Sequence, residues 1–332
     1  MDNKITNLNP KLFDADVEQV PIRKGYGEGL LQAGTEDKNV VALCADLTES
    51  TQTHLFAQRF PNRFIQVGIA EQNLASVGSG MAAMGKIPFV SSYAMFSPGR
   101  NWEQIRTTIS YNNSNVKLIG SHAGVTVGPD GGTHQALEDI ALTRVIPNLI
   151  VISPCDYLEA KKATLASAKI KNPVYIRLAR EKSPVMTTES TSFEIGKAQL
   201  FFTTDKKADV GIIATGQLVY KALVSAKKLS EKGIGVKVLN LATIKPLDEE
   251  VIIALANEAG AIVTVEEHQI AGGMGSVVAE CLAKNCPVPM EFIGVADQFG
   301  QSGTGNELLE HYGMGIDSIT KACEKALSRK AK

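Results

Sequence analysis

The feature that most limits how this chain can fold is a rhythm. Short β-branched runs alternate with helical stretches over residues 40–178, and the alternation resumes from residue 209. Such alternation points to parallel sheets covered by helices. In the first half the expected strands are VVALCA (40–45), FIQVG (64–68), IPFVSS (87–92), VKLIG (116–120), LIVIS (149–153) and VYIRL (174–178), with helices at Glu71–Met84, Trp102–Tyr111 and Tyr157–Lys169. In the second half the strands are DVGIIAT (209–215), VKVLNL (236–241), AIVTVEE (261–267) and MEFIGV (290–295), with helices near 217–232, 248–258 and 274–284. The polar stretch from 181 to 209 breaks the rhythm and is the best domain boundary. The expectation is an α/β protein of two three-layer domains with mostly parallel sheets, 1–190 and 195–332. At 332 residues the chain is long enough for both.

Composition removes several function classes. The net charge is −1 and the basic residues are dispersed, which leaves no electrostatic footprint for nucleic acid or anionic lipid. No apolar run approaches the ~18 residues of a membrane span. The polar opening MDNKITNLNPKLFDADVEQV lacks the apolar core of a secretory signal, so a cytoplasmic location is expected. The five cysteines contain no CxxC pair and read as buried, reduced thiols. No metal site is expected on this chain.

Two glycine patterns imitate nucleotide sites. Gly80–Lys86 matches most of a phosphate-binding loop, and Gly78-x-Gly80-x-x-Ala83 resembles a dinucleotide fingerprint. Both need the glycines between a strand and the start of a helix, where free N–H groups point at phosphate. Here they lie late in a helix and lead into a strand, and Ile87 stands where a Mg²⁺-binding hydroxyl belongs. Close helix packing is the expected use of these small residues.

Two segments carry chemistry. In FIQVGIAEQNLASVGSGMAAMG a strand passes through a short turn to Glu71, the only carboxylate between Arg63 and Trp102. By itself Glu71 reads as a first-turn glutamate favoured by the helix dipole. In SHAGVTVGPDGGTHQALEDIA, His122 follows a strand directly, and a Gly-rich loop then delivers Asp130 and His134. Polar groups beyond the carboxyl ends of parallel strands are where α/β proteins place their sites. Asp130 and His134 also suit a turn and a helix cap.

Taken together, strand–GIAEQN–helix, then SSYAMF, then SHAGVTVGPDGGTHQ resembles the pyrimidine-binding part of the transketolase family. PIRKGYGEGL and CADLTES resemble its opening helix and first strand loop, and TVEEHQIAGGMGSVVAE its C-terminal domain. The resemblance implies thiamine diphosphate as cofactor. It assigns Glu71 to N1′ of the aminopyrimidine, where a carboxyl of raised pKa in an apolar pocket shares its proton with the ring. That lets the 4′-amino group act as the base for the thiazolium. Tyr93 and Phe96 would flank the ring, while the family's third pocket aromatic falls on Gly99, with Met95 or Trp102 as substitutes. Asp46 matches an acidic position near the thiazolium. His122, Asp130 and His134 match the residues that position a ketose donor, the two histidines handling hydroxyl protons near pH 7. Arg23, Ser50 and Arg180 match positions that hold the sugar phosphate.

The family's diphosphate domain carries a GDG motif that binds Mg²⁺ and the cofactor's phosphates. The present sequence has no GDG. The resemblance therefore implies the C-terminal subunit of a split transketolase, dimeric at the core of an α₂β₂ assembly. A separate N-terminal chain would hold Mg²⁺ and the diphosphate. The implied reaction transfers a two-carbon ketol unit between sugar phosphates, as in the pentose phosphate pathway. The β subunit of a 2-oxo acid dehydrogenase remains an alternative, as does a transketolase-like enzyme for an unusual sugar. Deoxyxylulose phosphate synthases resemble it too but are normally single chains. A non-catalytic protein on the same fold is disfavoured because Glu71, His122, Asp130 and His134 are all present.

Overall fold

The computed structural model describes residues 4–5 and 7–330. The first-half runs are mostly apolar because all but the edge strand Phe64–Gln66 become interior strands, covered on both faces. They form a seven-stranded sheet in the order Thr243–Lys245, Ile150–Ile152, Val174–Arg177, Lys117–Ser121, Ile87–Tyr93, Val40–Cys44, Phe64–Gln66. Every neighbouring pair is parallel except the edge formed by Thr243–Lys245. The second sheet runs Lys4–Ile5, Gln199–Thr203, Val236–Asn240, Val210–Ala214, Ile262–Gln269, Met290–Val295, and its last four strands are parallel. Helices cover both sheets. The α/β architecture with two mostly parallel sheets is therefore present.

Each sheet borrows an edge strand from the far part of the chain. Lys4–Ile5 pairs with Gln199–Thr203 in the second sheet, and Thr243–Lys245 crosses to pair with Ile150–Ile152 in the first. The polar stretch 181–209 is not wholly irregular. Lys182–Pro184 pairs antiparallel with Gln19–Pro21, and Gln199–Thr203 joins the second sheet antiparallel to Val236–Asn240. Lys182–Pro184 is short and polar and so leaves little hydrophobic signal, while the interior strand Gln199–Thr203 offers only the three-residue apolar run LFF between polar neighbours. The expected helix Trp102–Tyr111 is also altered. It begins as one α-helical turn, Trp102–Gln104, and continues as a π-helix, Ile105–Ser110. Thr107 and Thr108 donate their hydroxyls to the carbonyls of Glu103 and Gln104, four residues back, which competes with regular helix geometry. All five cysteines are free thiols; Cys286 is half-buried rather than buried. The P-loop imitation sits at the C-terminal end of the Glu71–Ala83 helix, so its backbone presents no row of free N–H groups.

The two sheets are joined by buried charge. Arg177, at the end of its strand, donates to Asp139 at 2.9 Å and to the backbone carbonyl of Glu267 in the second sheet at 2.7 Å. Tyr175 also donates to Asp139, at 2.7 Å. Nearby, Gln269 donates its backbone N–H to Leu137, and Arg144 bonds the carbonyl of Gly272. Asp139 and Arg177 are both buried, so removing one leaves the other's charge uncompensated. Asp139→Ala is expected to cost roughly 3–5 kcal/mol of stability, measured by urea denaturation; a loss below ~1 kcal/mol would show that the pair carries little.

Candidate functional site

The site lies beyond the carboxyl ends of the first sheet's strands, where parallel α/β folds leave a crevice. The strand Phe64–Gln66 leads through a turn to Glu71, the first residue of the Glu71–Ala83 helix. Ile87–Tyr93 ends at Tyr93 and leads to Phe96; Lys117–Ser121 ends just before His122. Val40–Cys44 leads to Asp46, and Val174–Arg177 leads to Arg180. One edge of one sheet thus gathers residues from Asp46 to Arg180, 134 positions apart in sequence.

Glu71 is only 1% exposed, yet its pocket is not apolar as expected. Ser92 donates its hydroxyl to Oε1 at 2.9 Å, and Arg100 donates Nη1 to Oε2 at 2.8 Å. Asn101 bonds the backbone carbonyl of Glu71. A buried carboxylate needs such partners, and an arginine is the strongest available. The sequence reading missed both Ser92 and Arg100. The guanidinium of Arg100 also sits 4.8 Å from the ring centre of Phe96, a cation–π contact. Of the residues following Phe96, it is Arg100 that lies over its ring. Met95 is partly exposed, and Trp102 instead donates its indole N–H to the Leu142 carbonyl at 2.7 Å. No side chain fits at position 99, because a Cβ there would stand 2.0 Å from the carbonyl oxygen of Met95. An Arg directly after the departing Gly99 was the available signal.

Tyr93, Phe96, His122 and His134 form one aromatic cluster. Tyr93 stacks on His122 with ring centres 4.0 Å apart and lies 6.2 Å from Phe96, while His134 meets Phe96 edge-on at 5.6 Å. Ser121 and Thr133 hold Nδ1 of His122 and His134 respectively, each at 2.9 Å. His122 has a left-handed backbone (φ 59°), an unusual conformation for a non-glycine residue and one that the surrounding loop must enforce.

The anion-binding candidates form a second, linked group. Arg23 donates to the backbone carbonyls of Arg180 at 3.2 Å and Ser50 at 2.7 Å. Arg180 donates to the carbonyl of Val127 and to Asp130 at 3.3 Å. Ser50 thus serves here through its carbonyl. Asp46 is exposed, with a left-handed backbone (φ 60°) and its N–H bonded to Gln66 at 2.6 Å. All ten sequence-predicted residues lie around this crevice, in the two groups and at the strand ends beside them.

Electrostatics revises one expectation. Burial, with Arg23, Arg180 and His134 alongside, pulls His122 down to about 3. It is a neutral imidazole at pH 7, suited to hydrogen bonding more than to carrying a proton near neutrality. Because its folded pKa lies below the unfolded value, the unfolded chain binds more protons between them. His122 therefore costs stability as pH falls from about 6.5 towards about 3. An NMR titration of the imidazole should show no protonation above about pH 4, and a midpoint near 6.5 would refute the burial argument.

Comparison with known proteins agrees with the fold and the motif order. The family pattern for the transketolase pyrimidine-binding domain matches residues 18–185, and that for the transketolase C-terminal domain matches 202–319. A protein of Methanocaldococcus jannaschii described as a putative transketolase C-terminal section is 45% identical over 90% of this chain and 94% of its own length. A 6-deoxy-6-sulfo-D-fructose transketolase subunit of a Clostridium species is 40% identical over 96% of this chain and 98% of its own. A solved structure described as a split-gene transketolase, an inactive beta4 tetramer, superposes with a TM-score of 0.87 at 42% identity, covering 94% of this chain and 99% of that one.

Proposed function

Since this chain belongs to the transketolase family, we propose that it is the cofactor-activating subunit of a two-chain transketolase, 1–190 forming the pyrimidine-binding domain and 195–332 the C-terminal one. One observation carries the reading: a buried carboxylate, Glu71, at a helix start, held by the Arg100 that lies over Phe96 in the Tyr93–Phe96 aromatic pair, in a crevice rimmed by Arg23 and Arg180. These groups fit thiamine diphosphate. A buried carboxyl suits a ring nitrogen that must be protonated, and aromatic faces suit a planar heterocycle. When bound, the cofactor supplies the nucleophile and electron sink that cleave a ketose between its second and third carbons.

The chain's own residues do the rest. Glu71 would hold a proton at N1′ of the pyrimidine, and Tyr93 and Phe96 would keep water from its faces. Neutral His122, with His134 and Asp130, hydrogen-bonds the hydroxyls of the sugar and orients the bond that breaks. Arg23 and Arg180, with Ser50, would attract the terminal anion, and Asp46 would be the acidic group near the thiazolium. The diphosphate and Mg²⁺ belong mainly to the partner chain. Support for a partner and for self-association comes from the matched relatives: one is described as a subunit, one as a C-terminal section and one as a split-gene tetramer.

Two substrates deserve parallel assay. A phosphorylated ketose suits the arginine rim, and so does the sulfonated ketose named for the Clostridium relative, because guanidinium forks bind either tetrahedral anion. The test mixes this chain with a GDG-bearing partner and measures glycolaldehyde transfer from xylulose 5-phosphate to ribose 5-phosphate, alongside 6-deoxy-6-sulfofructose as donor. Transfer from one of them supports the reading and identifies the sugar class; decarboxylation of a 2-oxo acid with no ketol transfer overturns it. Glu71→Ala should lower the transfer rate roughly 10²- to 10⁴-fold with folding intact, since Arg100, its half-exposed partner, can return to water. Near-normal turnover in that variant would remove the carboxylate from the mechanism.

A further inference from the structure

The loop that carries the donor residues is held at its ends by the first domain. Ala123 donates its backbone N–H to Leu178 at 3.1 Å, Gly124 to Ala136 at 2.9 Å, and Arg180 reaches Val127 and Asp130. At Thr126, in the middle, the partners are different. Thr126 donates its backbone N–H to Oε1 of Glu267 at 2.7 Å, and its hydroxyl oxygen accepts from Nε2 of Gln217 at 2.6 Å. Gln217 also donates to Oε2 of Glu267. Both Gln217 and Glu267 come from the second domain.

The fit leaves no slack. Gly124 has φ +88°, and a Cβ there would stand 2.3 Å from the carboxyl carbon of Glu267. Thr126 and Glu267 are buried, and the backbone of Glu267 is in turn gripped by Arg177 at 2.7 Å. On the same side, Gln135 donates to the carbonyls of Val125 in the loop and Gln301 in the second domain. Thr126 and Gln217 also line a cleft of about 360 Å³ with Gln19, Thr304 and Asn306, so altering them does not disturb a packed apolar core.

Resting on the transketolase reading above, we propose that Gln217 and Glu267 are positioning residues for donor binding. Through Thr126 they fix the loop between His122 and Asp130, and with it the hydroxyl-binding geometry of the sugar. The C-terminal domain thereby acts on substrate recognition without touching substrate. The physical requirement is that a donor site tolerates little misplacement of its hydrogen-bonding groups.

The test uses Gln217→Leu, which removes both donors at similar bulk, with Thr126→Val, their double variant, and Thr126→Ser as conservative control. Glu267 is left intact because its loss would leave buried groups unpartnered and threaten the fold. In the assembled two-chain enzyme, Gln217→Leu and Thr126→Val should each raise KM for the ketose about three- to tenfold, as expected for loss of one hydrogen bond. The double variant should be no worse than the single ones, and Thr126→Ser should restore the wild-type value. Affinity for thiamine diphosphate should stay within about twofold. In the free full-length chain, amide hydrogen exchange over residues 125–128 should quicken in Gln217→Leu by more than any fall in its urea midpoint accounts for. Unchanged KM and unchanged exchange would overturn the proposal. So would parallel losses in donor binding, cofactor binding and global stability, which mark a merely structural role. If the wild-type assembly turned over no ketose, the functional reading would fall, and the exchange comparison alone would decide whether the second domain holds the loop.

Discussion

Arg177 lies where everything else meets. Its side chain is buried, and a guanidinium taken out of water is tolerated only where its donors are met by acceptors and its charge by a counter-charge. Asp139 supplies the charge, and the carbonyls of Ala136 and Glu267 supply further acceptors. Because Asp139 and Ala136 belong to the first domain and Glu267 to the second, satisfying one arginine fixes how the two sheets face each other. Burial raises the pKa of the Glu267 carboxyl, and the Arg177 cation opposes that shift. The strand Ile262–Gln269 could not slip by a residue without stranding both groups.

The crevice is built from the same kind of bargain. Glu71 is kept inside by Ser92 and Arg100, and Arg100 is in turn stacked over Phe96. A planar cation that donates to this carboxylate while resting on an aromatic face presents the features that a protonated aminopyrimidine would present. The chain thus satisfies this carboxylate internally. His122 shows the opposite treatment. Burial and two nearby arginines keep it uncharged. A neutral imidazole beside an anion-attracting rim can read hydroxyls without competing for the anion.

Much of this was written in local patterns. The fully apolar run 40–45 read as a covered strand; Glu71 and His122 stood out because each follows a strand run within a few residues, and Asp130 and His134 because a Gly-rich loop delivers them after His122. The Lys182–Pro184 strand was not legible because a short strand of a two-stranded ribbon needs no continuous apolar face, and Gln199–Thr203 because its apolar run is only three residues long between polar neighbours. The π-helix at Ile105–Ser110 was equally hidden, because hydroxyls competing with backbone carbonyls leave the periodicity of the side chains almost unchanged.

What sequence alone determined is the alternation of strand and helix, the family it belongs to, and the residue types delivered to the carboxyl edge of the first sheet. These follow from period and order along the chain. Only the tertiary structure decided that Arg100 would neutralise Glu71, that His122 would lose its ordinary basicity, and that Gln217 and Glu267 would reach Thr126. Each of those depends on distances between segments 29 to 141 residues apart. Burial and Coulomb forces act through space, and no local pattern encodes them.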